Sequence, residues 1–274
     1  MRGVYTAGVL RFFMDQGLYL PYVLGVSMGA CNGANYVARQ PERNRIVNIR
    51  YVKDARFMSY RRLVFKGELF GMGFIFGAIP HRLVPFDFET FMGSAQRCII
   101  TAIDCETGEA VYYEKETLGD DFLKVLQAGC SLPLIQKPVR YNGRILMDGG
   151  IAASVPIQKS VEDGNNRHVL VLTQPKGYRK KPSQATELVR LRYRQYKGLC
   201  RAFETRHMRY NETMEMIDRH EDKGKIFVIR PSQPLTVGRA ERNKDKLYAI
   251  YDQGYGDAGA CYSDLCAYLN ANNA

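Results

Sequence analysis

Tyr22 to Gly33 reads YVLGVSMGACNG, and no other stretch of the chain restricts its fold so tightly. A short apolar run ends at Val26, Ser27 follows between Gly25 and Gly29, and Ala30, Gly33, Ala34, Val37 and Ala38 then recur at helical spacing. A buried strand therefore hands over to a helix at Ser27, and the small side chains let that helix pack closely against a sheet. Two readings of the serine stay open at this point. It is either a nucleophile carried on a sharp turn or an inert residue in a tight connection, and Gly-x-Ser-x-Gly alone does not decide in a chain with 25 glycines.

The rest of the chain alternates in the same way. Gly3 to Gly17 reads as a helix with Val9, Phe12, Phe13 and Gln16 near one face. RCIITAIDCETGEAVYY at 97–113 reads as two strands joined at CETGE, and VRYNGRILMDGGI as a hairpin turning at Asn142-Gly143. HVLVLTQP at 168–175 and KIFVIRPSQP at 225–234 read as further buried strands. Residues 41–95 show no dominant period and predict short helices and loops. The alternation predicts an α/β fold with a mostly parallel central sheet and helices on both faces, in a single domain over 1–274.

The chain has 274 residues, of which 46% are hydrophobic, enough for a sizeable core. No stretch reaches the ~18 apolar residues of a membrane span. LFGMGFIFGAI at 69–79 is closed off by Glu68 and Pro80, so it can line a pocket or lie in an interface. No secretory signal is recognisable, and seven scattered cysteines without a Cys-x-x-Cys pair imply neither a disulfide framework nor a zinc site. The expected location is cytoplasmic, with peripheral contact to a membrane.

The net charge of +11 is concentrated: residues 176–209 hold 11 Lys/Arg against Glu187 and Glu204. Val189, Tyr193, Tyr196, Cys200, Phe203 and His207 step by four and three through it, so 176–222 reads as a basic helical segment whose amphipathic helix turns its charge outward. Such a face suits an anionic membrane surface, or is simply solvated. Nucleic acid is not the expected partner, because the tyrosines fall on the apolar stripe. No metal or cofactor is expected: Glu204-x-x-His207 lacks the second such motif that a di-metal helical site needs.

A serine nucleophile needs a base. The four histidines, His81, His168, His207 and His220, lack the strand-end setting of a triad, although Asp148 followed by one of the last three keeps a permitted chain order. Asp148, at a strand end and followed by Gly149 and Gly150, is the candidate for a base acting alone, with a plain Asp-Gly-Gly turn as the other reading. A carboxylate with an ordinary pKa near ~3.9 must be shifted upward by burial to do this work.

These motifs resemble the patatin-like phospholipases. GVSMGA at 25–30 is similar to the nucleophile elbow of that family, DGG at 148–150 to its Asp-Gly-Gly/Ala motif, and MRGVYTAGVL at 1–10 to the end of its glycine-rich oxyanion loop and following helix. The likeness continues through PFDFETF, TAIDCETGE and AGCSLPLI. It implies hydrolysis of lipid acyl esters by a Ser27–Asp148 dyad without a catalytic histidine, with Gly25, Gly29, Gly149 and Gly150 shaping the two turns. It also implies a strand and a run of glycines ahead of Arg2-Gly3. The sequence opens at Met1, so the first strand is expected to be missing and the oxyanion hole to rest on Arg2, Gly3 and the N–H of Met28. Either a longer natural chain supplies the rest, or the protein is a weak, lipid-binding relative.

Overall fold

The computed structural model describes residues 1–271, so the last three residues of the expected 1–274 domain lie outside it. In chain order the strands are β1 (Tyr22–Val26), β2 (Arg97–Asp104), β3 (Ala110–Glu114), β4 (Val139–Tyr141), β5 (Arg144–Asp148), β6 (His168–Val171) and β7 (Ile226–Ile229). The helices are α1 (Gly3–Asp15), α2 (Met28–Val37), α3 (Arg43–Arg45), α4 (Tyr60–Lys66), α5 (Phe88–Gly93), α6 (Phe122–Gly129), α7 (Ile157–Glu162), α8 (Thr186–Arg192), α9 (Lys197–Glu221), α10 (Lys244–Ala260) and α11 (Tyr262–Asn270).

The α/β class and the layered arrangement follow from the alternation along the strands. Successive side chains of a strand point to opposite faces. In β2 and β5, Ile100, Ala102 and Leu146 join Ala30 and Ala34 of α2 and Val125 of α6 in the main core. Ile103, Ile145 and Met147 point the other way and pack with Val189 of α8 and Leu199 and Ala202 of α9. The sheet is thus covered on both faces. The main core also takes in Leu247, Ile250 and Tyr251 of α10, which lies along α1, where the Tyr5 hydroxyl donates to Asp257 at 3.0 Å.

Strand direction differs from the mostly parallel expectation. β1–β2 and β6–β7 are parallel, whereas β2–β3, β2–β5 and β4–β5 are antiparallel. Both hairpins fold where expected, the second through Asn142 and Gly143 at φ 45° and 74°. β5 then returns beside β2 rather than crossing over, which makes this half of the sheet antiparallel. β1 and β6 each keep one edge without a strand partner among the described residues. A cavity of about 1350 Å³ lies between them, lined by all of both strands.

The basic segment also departs from the single helix predicted by its spacing. The chain breaks between Arg192 and Lys197, because Tyr193 accepts a hydrogen bond from the Leu134 N–H at 3.0 Å and the Leu199 N–H donates to the Cys105 carbonyl at 2.9 Å. These contacts dock the start of α9 on the β2–β3 turn. Nor does the charge all face outward: Arg206 and Arg209 turn in towards the end of β5 and its following turn. Among the described residues no helix is long and apolar enough to cross a membrane.

Candidate active site

Ser27 occupies the junction of β1 and α2 with φ 54° and ψ −128°. Left-handed φ at a residue with a Cβ costs on the order of 1–3 kcal/mol, and it persists because the strand and helix on either side over-determine it. Gly25 makes the junction that tight: a Cβ there would lie 2.3 Å from Ala30 Cα and 2.6 Å from Ala30 N. At Gly29, by contrast, nothing lies within 4 Å of where a Cβ would stand.

The register brings Asp148 to the same place. β2 lies between β1 and β5, with Val26 opposite Thr101 and Asp148 opposite Ala102. With strands about 4.8 Å apart, the ends of β1 and β5 meet across a single strand. Gly149 is pressed onto β2, where a Cβ would lie 2.4 Å from the Thr101 carbonyl oxygen. The turn is bolted from behind: Arg206 Nε donates to the Gly150 carbonyl at 2.6 Å, and Arg209 Nη2 donates to the Ile151 carbonyl at 3.1 Å.

Asp148 is 2% exposed. Its Oδ1 accepts from the Gly150 N–H at 2.8 Å, and Oδ2 has no hydrogen-bond partner among the described residues. Burial raises its pKa above the ordinary carboxylate range, opposed by the Ser27 hydroxyl, the Gly150 N–H and the charges of Arg206 and Arg239. The Ser27 hydroxyl thus favours the carboxylate form, without a hydrogen bond to it among the described residues.

Two helix N-termini face this pair. In α2 the first bond to the turn runs from the Ala30 N–H to the Ser27 carbonyl at 2.9 Å, and the N–H groups of Met28 and Gly29 donate to no protein acceptor among the described residues. At the start of α1, Arg2 and Gly3 line the same cavity. The Gly3 carbonyl accepts from Asn32 Nδ2 at 2.7 Å, and Asn32 Oδ1 accepts from Asn48 at 3.3 Å. Asn35 accepts from Arg43 at 2.8 Å in the same buried network. The sequence motifs do not single out these asparagines; Asn32 and Asn35, three apart on an otherwise small-residue helix, are the available signal.

Cys130 is a second residue the motifs do not reveal. Its Sγ lies 3.6 Å from Cys31 Sγ, and its thiol is pushed well above the ordinary value by that neighbour, by burial and by the charge of Asp148, with the Ser27 hydroxyl opposing. The histidines are engaged elsewhere. His168 Nδ1 pairs with the Ser160 hydroxyl at 3.1 Å, His207 and His220 face backbone carbonyls of α9, and His81 stacks on Phe88. None is hydrogen-bonded to Ser27 or Asp148. The remaining cavity wall is largely apolar, with Phe70, Met72, Ile75 and Phe76 from the 69–79 segment among its lining.

Residues 1–159 match the family model described as Patatin-like phospholipase, and residues 196–270 match a domain of unknown function, DUF6363. The chain is also similar to the uncharacterized protein YjjU of Escherichia coli (strain K12), with 25% identity over 241 residues. That alignment covers 85% of this chain and 66% of the length of YjjU.

Proposed function

The chain belongs to the patatin-like phospholipase family, and from that premise we propose that it is a serine acyl hydrolase of lipid esters that works through a Ser27–Asp148 dyad. The observation that carries this reading is the unpartnered, buried Asp148 Oδ2 beside a serine held at φ 54°. Ser27 Oγ attacks the ester carbonyl while Asp148 takes its proton. The developing oxyanion rests on the Met28 N–H and the Arg2–Gly3 backbone, where the partial positive charge of two helix starts favours it. Asp148 then passes the proton to the leaving alcohol; a water deprotonated by Asp148 attacks the acyl-serine, and that proton returns to Ser27 Oγ as the fatty acid leaves.

Burial supports Asp148 in this role, since a carboxylate with a raised pKa holds a proton long enough to hand it on. The apolar cavity wall supports an acyl chain as the group bound. The domain is read as one unit over 1–274, because α10, which lies within 196–270, shares the main core with α1. Peripheral contact with anionic membrane from the cytoplasmic side belongs to the same proposal and uses the exposed charges of 176–209.

The test is release of fatty acid from lysophospholipid micelles by wild type, Ser27→Ala and Asp148→Asn. Turnover is expected from wild type only. Turnover that survives Ser27→Ala excludes the dyad.

A further inference from the structure

Four of the cations that line the Ser27 cavity feel one another's charge, and only one of the four comes from the 1–159 segment. Arg2, Lys180, Arg206 and Arg239 all line it. None makes an ion pair within 4.0 Å among the described residues. Some neighbours in the basic segment are neutralised, Arg179 by Asp218, Lys176 by Asp222 and Arg190 by Glu187 and Glu204, whereas Lys181, which also lines the cavity, makes no ion pair among the described residues. Arg209 is used up in another way, donating to the carbonyls of Ile151, Ala152 and Ala202 and to Thr205.

The four are left with unused donors. Arg206 commits only Nε, to the Gly150 carbonyl, which leaves both terminal nitrogens of its guanidinium free. Lys180 Nζ reaches no carboxylate, only the Ser154 hydroxyl at 3.4 Å and the face of Tyr210 at 4.0 Å. Burial and the charges of Arg206, Arg239 and Arg2 push Lys180 down to about 7, with the charge of Asp148 opposing. Lys180 and Arg206 are half-buried and Arg2 and Arg239 exposed; with one carboxylate among them the inner pair is short of negative charge, and a bound anion supplies it. Guanidinium groups with free forked donors suit phosphate oxygens.

We propose that Lys180, Arg206 and Arg239 form a phosphate subsite beside Ser27, so that the ester cleaved carries a phosphate headgroup of net negative charge in preference to a neutral glyceride. This rests on the Ser27 reading for the chemistry, but the binding preference stands on the cations alone. It gives the residues beyond 159 a part in the site: they form its charged wall.

The experiment separates the two. Binding is measured by calorimetry on Ser27→Ala with a short-chain lysophosphatidate and the monoacylglycerol of the same acyl chain, both below their critical micelle concentrations. The subsite predicts at least about tenfold tighter binding of the lysophosphatidate, a preference that falls about tenfold with Lys180→Met or Arg239→Gln, as expected when a hydrogen bond to a charged group is lost. Inorganic phosphate is the second probe. If it displaces the lysophosphatidate only at concentrations far above the lipid's own, the headgroup with its acyl chain is the ligand; if it binds as tightly as the lipid, the subsite serves free phosphate and the assignment to a lipid headgroup is wrong. Equal binding of the two lipids, or a preference indifferent to both substitutions, overturns the subsite. In parallel, labelling of wild-type Ser27 by a fluorophosphonate reports on the nucleophile. A labelled Ser27 without a charge preference removes only the subsite, and a charge preference without labelling removes only the catalytic reading.

Discussion

The two glycines that flank Ser27 look alike in the motif, and the structure separates them sharply. At Gly25 an added Cβ would stand 2.3 Å from Ala30 Cα, where ordinary contact begins near 3.4 Å, so β1 and the start of α2 must part by about 1 Å. Both atoms met are backbone, so no side chain can swing aside. A displacement of about 1 Å in a catalytic group costs on the order of a hundredfold in rate, and overpacking costs about 1–3 kcal/mol in stability. Gly25→Ala should therefore fold with a lower melting temperature and hydrolyse a p-nitrophenyl ester about a hundredfold more slowly. At Gly29 nothing lies within 4 Å, and alanine in a helix is favoured over glycine by roughly 0.5–1 kcal/mol. Gly29→Ala should keep or raise the melting temperature and label with a fluorophosphonate at nearly the wild-type rate. Equal losses in the two variants, or a fully active Gly25→Ala, would refute the claim that strand-to-helix contact at Gly25 sets the position of Ser27.

Four further outcomes are expected. Asp148→Asn should lower turnover by about 10²–10⁴-fold, the usual contribution of a positioned general base, with the cavity intact by ligand binding. Because the folded pKa of Asp148 lies above its unfolded value, the folded state holds that proton more tightly; the stability it contributes is present below the unfolded pKa and lost as pH rises through the folded one. Melting curves of wild type and Asp148→Asn should accordingly diverge in favour of the variant as pH rises from 4 towards neutrality, and a divergence of opposite sign counts against the buried charge. His168→Ala and His207→Ala should retain turnover, since their Nδ1 atoms face Ser160 and the Glu204 carbonyl; a loss as deep as that of Asp148→Asn would restore a triad. Cys130, whose thiol is held protonated by its surroundings, should react with iodoacetamide at pH 7 more slowly than a free cysteine, as followed by peptide mass mapping.

What could be read from the residues was local. The turn at Ser27, the hairpin at Asn142-Gly143 and the end of β5 at Asp148 each follow from a few neighbouring residues, since strand periodicity and turn chemistry act over short spans. Strand direction was not legible in the same way, because β5 pairs with β2 at a distance of some forty residues, and nothing in either run states which neighbour it takes. The break at Tyr193 depends on Leu134 and Cys105, again remote in sequence, so the spacing of Val189 to His207 suggested one uninterrupted helix. Arg206 and Arg209 read as outward charge for a related reason. Long basic side chains can bend back to carbonyls that the sequence does not place beside them, here those of Gly150 and Ile151. Asp148 was legible as a candidate base from its strand-end position, with the resemblance pointing the same way; the register through Thr101 and Ala102 brings the ends of the Ser27 and Asp148 strands together.

The central claim is that Ser27 is a nucleophile activated by Asp148, and covalent labelling tests it whatever the substrate is. Folded wild-type protein is treated with a fluorophosphonate and the modified peptide is identified by mass. A nucleophile activated in this way gives a single adduct on Ser27, absent in Ser27→Ala and formed much more slowly in Asp148→Asn. A folded wild-type protein that resists the probe, or an adduct on Ser27 that forms at the same rate without Asp148, would contradict it.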